Sequence, residues 1–155
     1  MMEKTNRCVD TVLLMEQYRA LLETVDMLPL QVTGSSMTPF LAPGRDSVLL
    51  RKPPARLRRG DIALYRRGNG SYVMHRVYRC ERDGTYTMLG DAQQQAEHGI
   101  RREQVIAAAC AAQRKGKEQK PGHFWWEFFA RVWIRIVPLR PMLRGLYSRT
   151  FGRRR

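Results

Sequence analysis

Apolar positions along residues 9 to 26 recur at helical steps. Leu14, Tyr18, Leu21, Leu22 and Val25 share one face, which predicts an amphipathic helix packed on the rest of the chain. After Pro29 the period changes. Short runs rich in β-branched and aromatic residues, Ser47 to Arg51, Asp61 to Arg66, Ser71 to Cys80 and Thr85 to Leu89, predict strands. The alanine-rich run from Gln104 to Ala112 reads as a further strand whose composition is ambiguous. Gly68-Asn69-Gly70 and Asp83-Gly84 accept the positive φ angles of tight hairpins, so the run 71–80 is expected to pair with both of its sequence neighbours. The core is therefore expected to be mainly antiparallel β. Alternation along 71–80 puts Val73, His75 and Val77 on one face and Tyr72, Met74, Arg76 and Tyr78 on the other, which places His75 on an apolar face of a rigid element.

The chain has 155 residues, of which 43% are hydrophobic, enough for the core of one domain. The expected division is an N-terminal helix over 1–30, a β domain over 31–113 and a basic linker with an amphipathic tail over 114–155. Cys8, Cys80 and Cys110 are odd in number and widely spaced, which indicates neither a disulfide framework nor a zinc site. No metal or cofactor is expected. The apolar run Thr11 to Met15 is too short for a signal-peptide core or a membrane span. The net charge of +14 fits nucleic acid, anionic lipid or acidic protein, and its distribution narrows the choice. From Pro121 onward eight arginines face the single acid Glu127, with Trp125, Trp126, Phe128, Phe129, Trp133 and Tyr147 interleaved among them. That mixture reads as an interfacial segment.

The candidate chemistry centres on Gly34-Ser35-Ser36-Met37-Thr38-Pro39. A serine hydroxyl needs a base, and between Gln31 and Gln113 the only histidines are His75 and His98 and the only lysine is Lys52. Arginine stays protonated and cannot accept the proton, whereas imidazole titrates near neutrality. To act as a base Lys52 would need burial, and it sits beside Pro53-Pro54 in a basic stretch expected to be exposed, so His75 is the leading base. A mid-strand histidine on an apolar face is also what a purely structural, hydrogen-bonded core residue looks like. The neighbouring motifs decide between these readings.

In order, Gly34-Ser35-Ser36-Met37-Thr38-Pro39, Arg59-Gly60-Asp61-Ile62, His75-Arg76-Val77 and Leu89-Gly90-Asp91 resemble the boxes of the type I signal peptidase superfamily, which includes LexA-like self-cleaving proteins. The resemblance covers about residues 31 to 112. The His-Arg-Val context is similar to the endoplasmic-reticulum, archaeal and sporulation-associated members, which use histidine where others use lysine. It implies a signal-peptidase/LexA-like antiparallel β core and a serine endopeptidase with Ser36 as nucleophile and His75 as base. Gly34, Met37, Pro39, Gly60, Asp61 and Gly90 are then motif residues that shape the site, Asp61 holding a loop through backbone hydrogen bonds. The Ser36 N–H is implied as an oxyanion donor. Some members add a hydroxyl two residues before the nucleophile, and that position is Gly34 here. For the third member of a charge relay the resemblance offers Asp91, in the Gly-Asp box, and Glu97, six residues later where a further aspartate is usual. Asp91 is preferred, because Glu97 beside His98 and Gly99 also reads as a solvated loop acid.

Membrane members carry a spanning helix just before the serine, but the matching stretch Leu22 to Met27 holds Glu23 and Asp26. In Phe124 to Val137 the charged residues Glu127, Arg131 and Arg135 form a stripe on an otherwise apolar helix, with Pro138 and Pro141 beyond it. That helix is expected to lie on an anionic membrane surface through residues 121–155. The implied substrate is a leader or signal-like peptide cut at the cytoplasmic side of a membrane by a peripheral enzyme. No nucleic-acid partner is expected. The competing class is a non-catalytic peptide- or membrane-binding module on the same fold.

Overall fold

The computed structural model describes residues 2 to 151, with side chains described from residue 11 to residue 146. Cys8, Tyr147 and the arginines beyond Gly145 therefore lie outside the described side chains. Helix α1 runs Met2–Leu21, and eight strands follow: β1 Met27–Gln31, β2 Ser47–Arg51, β3 Ile62–Arg66, β4 Tyr72–Cys80, β5 Tyr86–Leu89, β6 Glu97–Ile100, β7 Val105–Arg114 and β8 Lys117–Gln119. All are antiparallel, in the order β1-β2-β7-β3-β4-β5-β6, with β8 added to β7. The mainly antiparallel β architecture expected from the sequence is present, and β4 pairs with both β3 and β5.

Three short strands escape the periodic reading. β1 contains Pro29, which is tolerated because β1 is an edge strand paired only with β2. β6 has four residues and includes Gly99 at a φ of 72°. β8 is the return of a hairpin turning at Lys115 and Gly116, both at positive φ. The alanine-rich run is a strand, β7, and its small side chains suit its place between β2 and β3, where Ala107, Ala108, Ala111 and Ala112 are all buried.

Helix α1 ends at Leu21, earlier than the expected boundary near residue 26, and closes through turn hydrogen bonds from Thr24 and Val25 to the Leu21 carbonyl. Among the described side chains its buried contacts come from Met15 and from Leu22 just past its end, while Leu14, Leu21 and Val25 stay exposed. Of the face that the apolar spacing picks out, Leu22 is buried and Tyr18 half-buried, while Met15 turns inward in place of its neighbour Leu14.

The apolar side chains form two clusters. The larger joins Met15 and Leu22, the loop residues Met37, Phe40 and Leu41, strand residues such as Leu50 and Ile62, and Trp126, Phe129 and Trp133 from the C-terminal segment. The smaller contains Leu57, Ala63, Tyr65, Val77, Tyr86, Met88, Ile100, Val105 and Ala108. The C-terminal segment consists of α2 (Phe124–Glu127), a wide helical turn over Phe128–Val132, a tight turn over Trp133–Arg135, a second tight turn over Val137–Leu139 and α3 (Arg140–Phe151). One face of it is built into the β core. No helix among the described residues is long and apolar enough to cross a membrane.

Candidate active site

The boxes separated in sequence meet around the middle of β4. Arg76 is fully buried and carries the junction: its Nε and Nη2 donate to the Asp91 carboxylate at 3.0 and 2.8 Å, and its Nη1 donates to the Gly60 carbonyl at 2.9 Å. Its guanidinium also lies 5.3 Å from the centre of the Phe40 ring, just beyond the Ser36 box. A bidentate pair of this kind satisfies the buried carboxylate that would otherwise be costly. Asp91 thus has its charge matched by Arg76, and its own carbonyl accepts the Trp133 Nε1–H at 2.8 Å.

The glycines of the boxes are fixed by close approach. At Gly90 a Cβ would stand 2.6 Å from the Ser36 carbonyl oxygen, and at Gly60, with a φ of 96°, it would stand 2.9 Å from the Ala130 carbonyl oxygen. The Ser36 carbonyl accepts the Ala92 N–H at 2.9 Å, so the Ser36 loop is pinned to the loop after β5. Asp61 accepts the Arg58 N–H at 2.8 Å and shapes the turn into β3. Met37 is buried in the larger core, the Thr38–Pro39 bond is cis, and Gly34 is exposed in open space.

On the opposite face of β4, His75 is almost wholly buried against the Tyr65 ring. Tyr65 Oη lies 3.0 Å from His75 Nδ1 and donates to Glu97 Oε2 at 2.9 Å. Glu97 Oε1 is itself 3.7 Å from Nδ1, and Arg67 holds the carboxylate through both Nε and Nη2. Hydrogen-bond bookkeeping assigns the tautomer. The phenol has one proton, and the carboxylate is the stronger acceptor, so the phenol oxygen accepts from the Nδ1–H of His75. Nε2 then carries the free lone pair, and it has no hydrogen-bond partner among the described residues.

The charges agree with that assignment. Burial pushes His75 below its usual pKa of 6.5, with Arg67 acting in the same direction and Glu97 opposing, so the imidazole is neutral at neutral pH. Burial would raise Glu97, but the hydrogen bonds from Arg67 and Tyr65 outweigh it and hold the carboxyl below its usual 4.5. Burial and the adjacent Glu97 push the Tyr65 phenol well above its usual 10, so it keeps its proton.

Of the two candidate acids, Glu97 reaches His75 and Asp91 is paired with Arg76, the reverse of the preference drawn from the motif. Ser36 is half-buried and lines an apolar groove of about 350 Å³ with Leu14, Leu30, Met37, Leu64 and Met74. Neither its Oγ nor its N–H has a hydrogen-bond partner among the described residues, and none joins it to His75. The groove wall reaches Met74, the residue before His75 on β4. Among the described residues no cluster of His, Cys, Asp and Glu could hold a metal. Cys80 and Cys110 are free thiols.

Sequence reasoning missed Tyr65, Arg67 and Arg140. Tyr65 could have been found from pairing: β3 lies antiparallel to β4 with Ala63 opposite His75, so Tyr65, two residues on, shares its face. Arg140 carried no such signal. It is buried, and its guanidinium donates to the carbonyls of Gly90, Gln93 and Trp133, bracing the loop that holds Ser36. No family model matches this chain, and no curated protein or solved structure matches it either.

Proposed function

We propose that this chain is a serine endopeptidase of the signal peptidase type that cleaves a leader or precursor peptide. Ser36 is its nucleophile, His75 its general base and Glu97, acting through Tyr65, the acid that steadies the imidazolium. The observation that carries the reading is the chain from His75 Nδ1 to Tyr65 to Glu97, which leaves Nε2 without a hydrogen-bond partner among the described residues, on the strand that also supplies Val73 and Met74 to the groove of Ser36. In the reaction Ser36 Oγ attacks the peptide carbonyl while Nε2 takes its proton. The positive charge on His75 then faces the ionised Glu97 across Tyr65. The unpartnered Ser36 N–H is available to the developing oxyanion. Nε2 returns the proton to the leaving amine, and the acyl group on Ser36 is released by a water that Nε2 deprotonates.

Because no hydrogen bond joins Ser36 to His75 at rest, the reading requires Oγ and Nε2 to come together when a peptide fills the groove. That same separation favours a second reading, a peptide-binding module without catalysis. The test incubates the purified protein with signal-like peptides bearing small residues before the cut site and with a fluorophosphonate probe. Cleavage and labelling at Ser36 are expected, with losses of about 10²-fold or more in the Ser36→Ala and His75→Ala variants. Undiminished cleavage in either variant removes that residue from the mechanism. Peptide binding with neither cleavage nor labelling in the unaltered protein selects the module.

A further inference from the structure

The C-terminal segment docks through one face only. Trp126, Phe129, Trp133 and Ile134 are buried, whereas Phe124 is 71% exposed, Trp125 43% and Val132 47%. The exposed side chains are organised. Phe124 stacks on Phe128 with ring centres 6.2 Å apart, and Trp125 meets both at 5.1 and 5.9 Å, giving one aromatic cluster. Val132 follows at the next helical step, with exposed Arg131, paired with Glu127 at 2.6 Å, and exposed Arg135 on either side of it in sequence. Leu139, Met142 and Leu146 continue the segment as exposed aliphatic residues.

An aromatic cluster beside guanidinium groups fits two kinds of polyanion. Single-stranded nucleic acid stacks its bases on such rings, but it has no use for exposed Val132, Leu139, Met142 and Leu146. A bilayer surface takes all of these groups: rings at the headgroup level, aliphatic side chains just beneath, and cations against lipid phosphates. A second copy of a chain with a net charge of +14 would meet like charge.

We infer that the outward face of residues 124–146 is a docking surface for an anionic lipid bilayer. Trp126 and Phe129 pack on Phe40 at 6.0 and 4.9 Å between ring centres, so the docked face is tied rigidly to the Ser36 loop. Docking would hold that loop, and the groove beside it, at a fixed attitude to the bilayer.

The test sediments the full chain with phosphatidylcholine vesicles and with vesicles in which about a third of the lipid is phosphatidylglycerol. Pelleting with the anionic vesicles only is expected, weakened about tenfold by Phe124→Glu and about fivefold by Arg135→Gln. Both sites are exposed, so melting temperatures should match the unaltered protein, which separates lost docking from lost folding. The inference is overturned if the unaltered protein does not pellet, if neither variant weakens pelleting, or if a single-stranded oligonucleotide binds and the vesicles do not. All of these readouts are independent of Ser36 and of cleavage.

Discussion

His75 and Arg76 are neighbours on β4, point to opposite faces and are each matched to an acid, yet the two environments differ in kind. Arg76 meets Asp91 directly, both fully buried, in a bidentate pair with a third bond to Gly60. His75 meets Glu97 mainly through the phenol of Tyr65, and the acid is partly open to solvent and held by Arg67. The first arrangement has every guanidinium nitrogen hydrogen-bonded and no proton to move. The second keeps a neutral imidazole with one satisfied nitrogen and one free, beside an acid that stays ionised. One side joins the boxes into a fold, and the other leaves an imidazole nitrogen without a hydrogen-bond partner among the described residues.

The largest effect should come from breaking the rigid side. Arg76→Met leaves Asp91 buried without its partner and should cost about 3–5 kcal/mol in urea unfolding. Combining it with Asp91→Leu, which removes the stranded charge, should recover much of that loss. A single-variant loss below about 1 kcal/mol would mean that Asp91 finds solvent or another cation, and the contrast between the two sides would collapse.

On the other side Tyr65→Phe removes one hydroxyl that serves two partners. It strands the Nδ1–H and takes one bond from Glu97, which should cost about 1–3 kcal/mol. The more specific readout is the imidazole itself. Nitrogen chemical shifts of His75 should report the Nδ1–H tautomer in the unaltered protein and a mixture in the variant. An unaltered protein already carrying its proton on Nε2 would sink both the tautomer assignment and the role of His75 as base in its resting form.

Much of this contrast was written in the order of residues and some of it was not. β2 is where the run of apolar residues placed it, and the alternation of β4 correctly put His75 on an apolar face. The choice of acid was not legible, because spacing says nothing of which carboxylate a guanidinium will take. Arg76 is the next residue after the histidine, and only the packing of β4 against the Gly60 and Gly90 loops sends it to Asp91. The C-terminal segment was legible as amphipathic, but its buried face depends on Phe40 and Gly60 lying opposite, contacts from far along the chain. Local pattern cannot specify a partner that the fold brings from elsewhere.

The smallest expected change, and the finest test of the contrast, is Arg67→Gln. Arg67 and Glu97 are both partly exposed, so losing the ion pair should cost under about 1 kcal/mol at neutral pH. Its effect on His75 should be easier to see. Arg67 helps hold the imidazole pKa down while Glu97 pulls it up, so removing the cation should move the His75 titration midpoint upward. The sign carries through to stability. A histidine whose folded pKa lies below its unfolded value stabilises the protein above about pH 6.5 and loses that contribution as pH falls through the gap. Narrowing the gap should make the Arg67→Gln protein lose less stability than the unaltered one over the His75 part of the acid range. Nuclear magnetic resonance titration of His75, paired with melting curves across that range, measures both. A midpoint that stays put or falls would mean that the Arg67 charge does not hold the His75 pKa down.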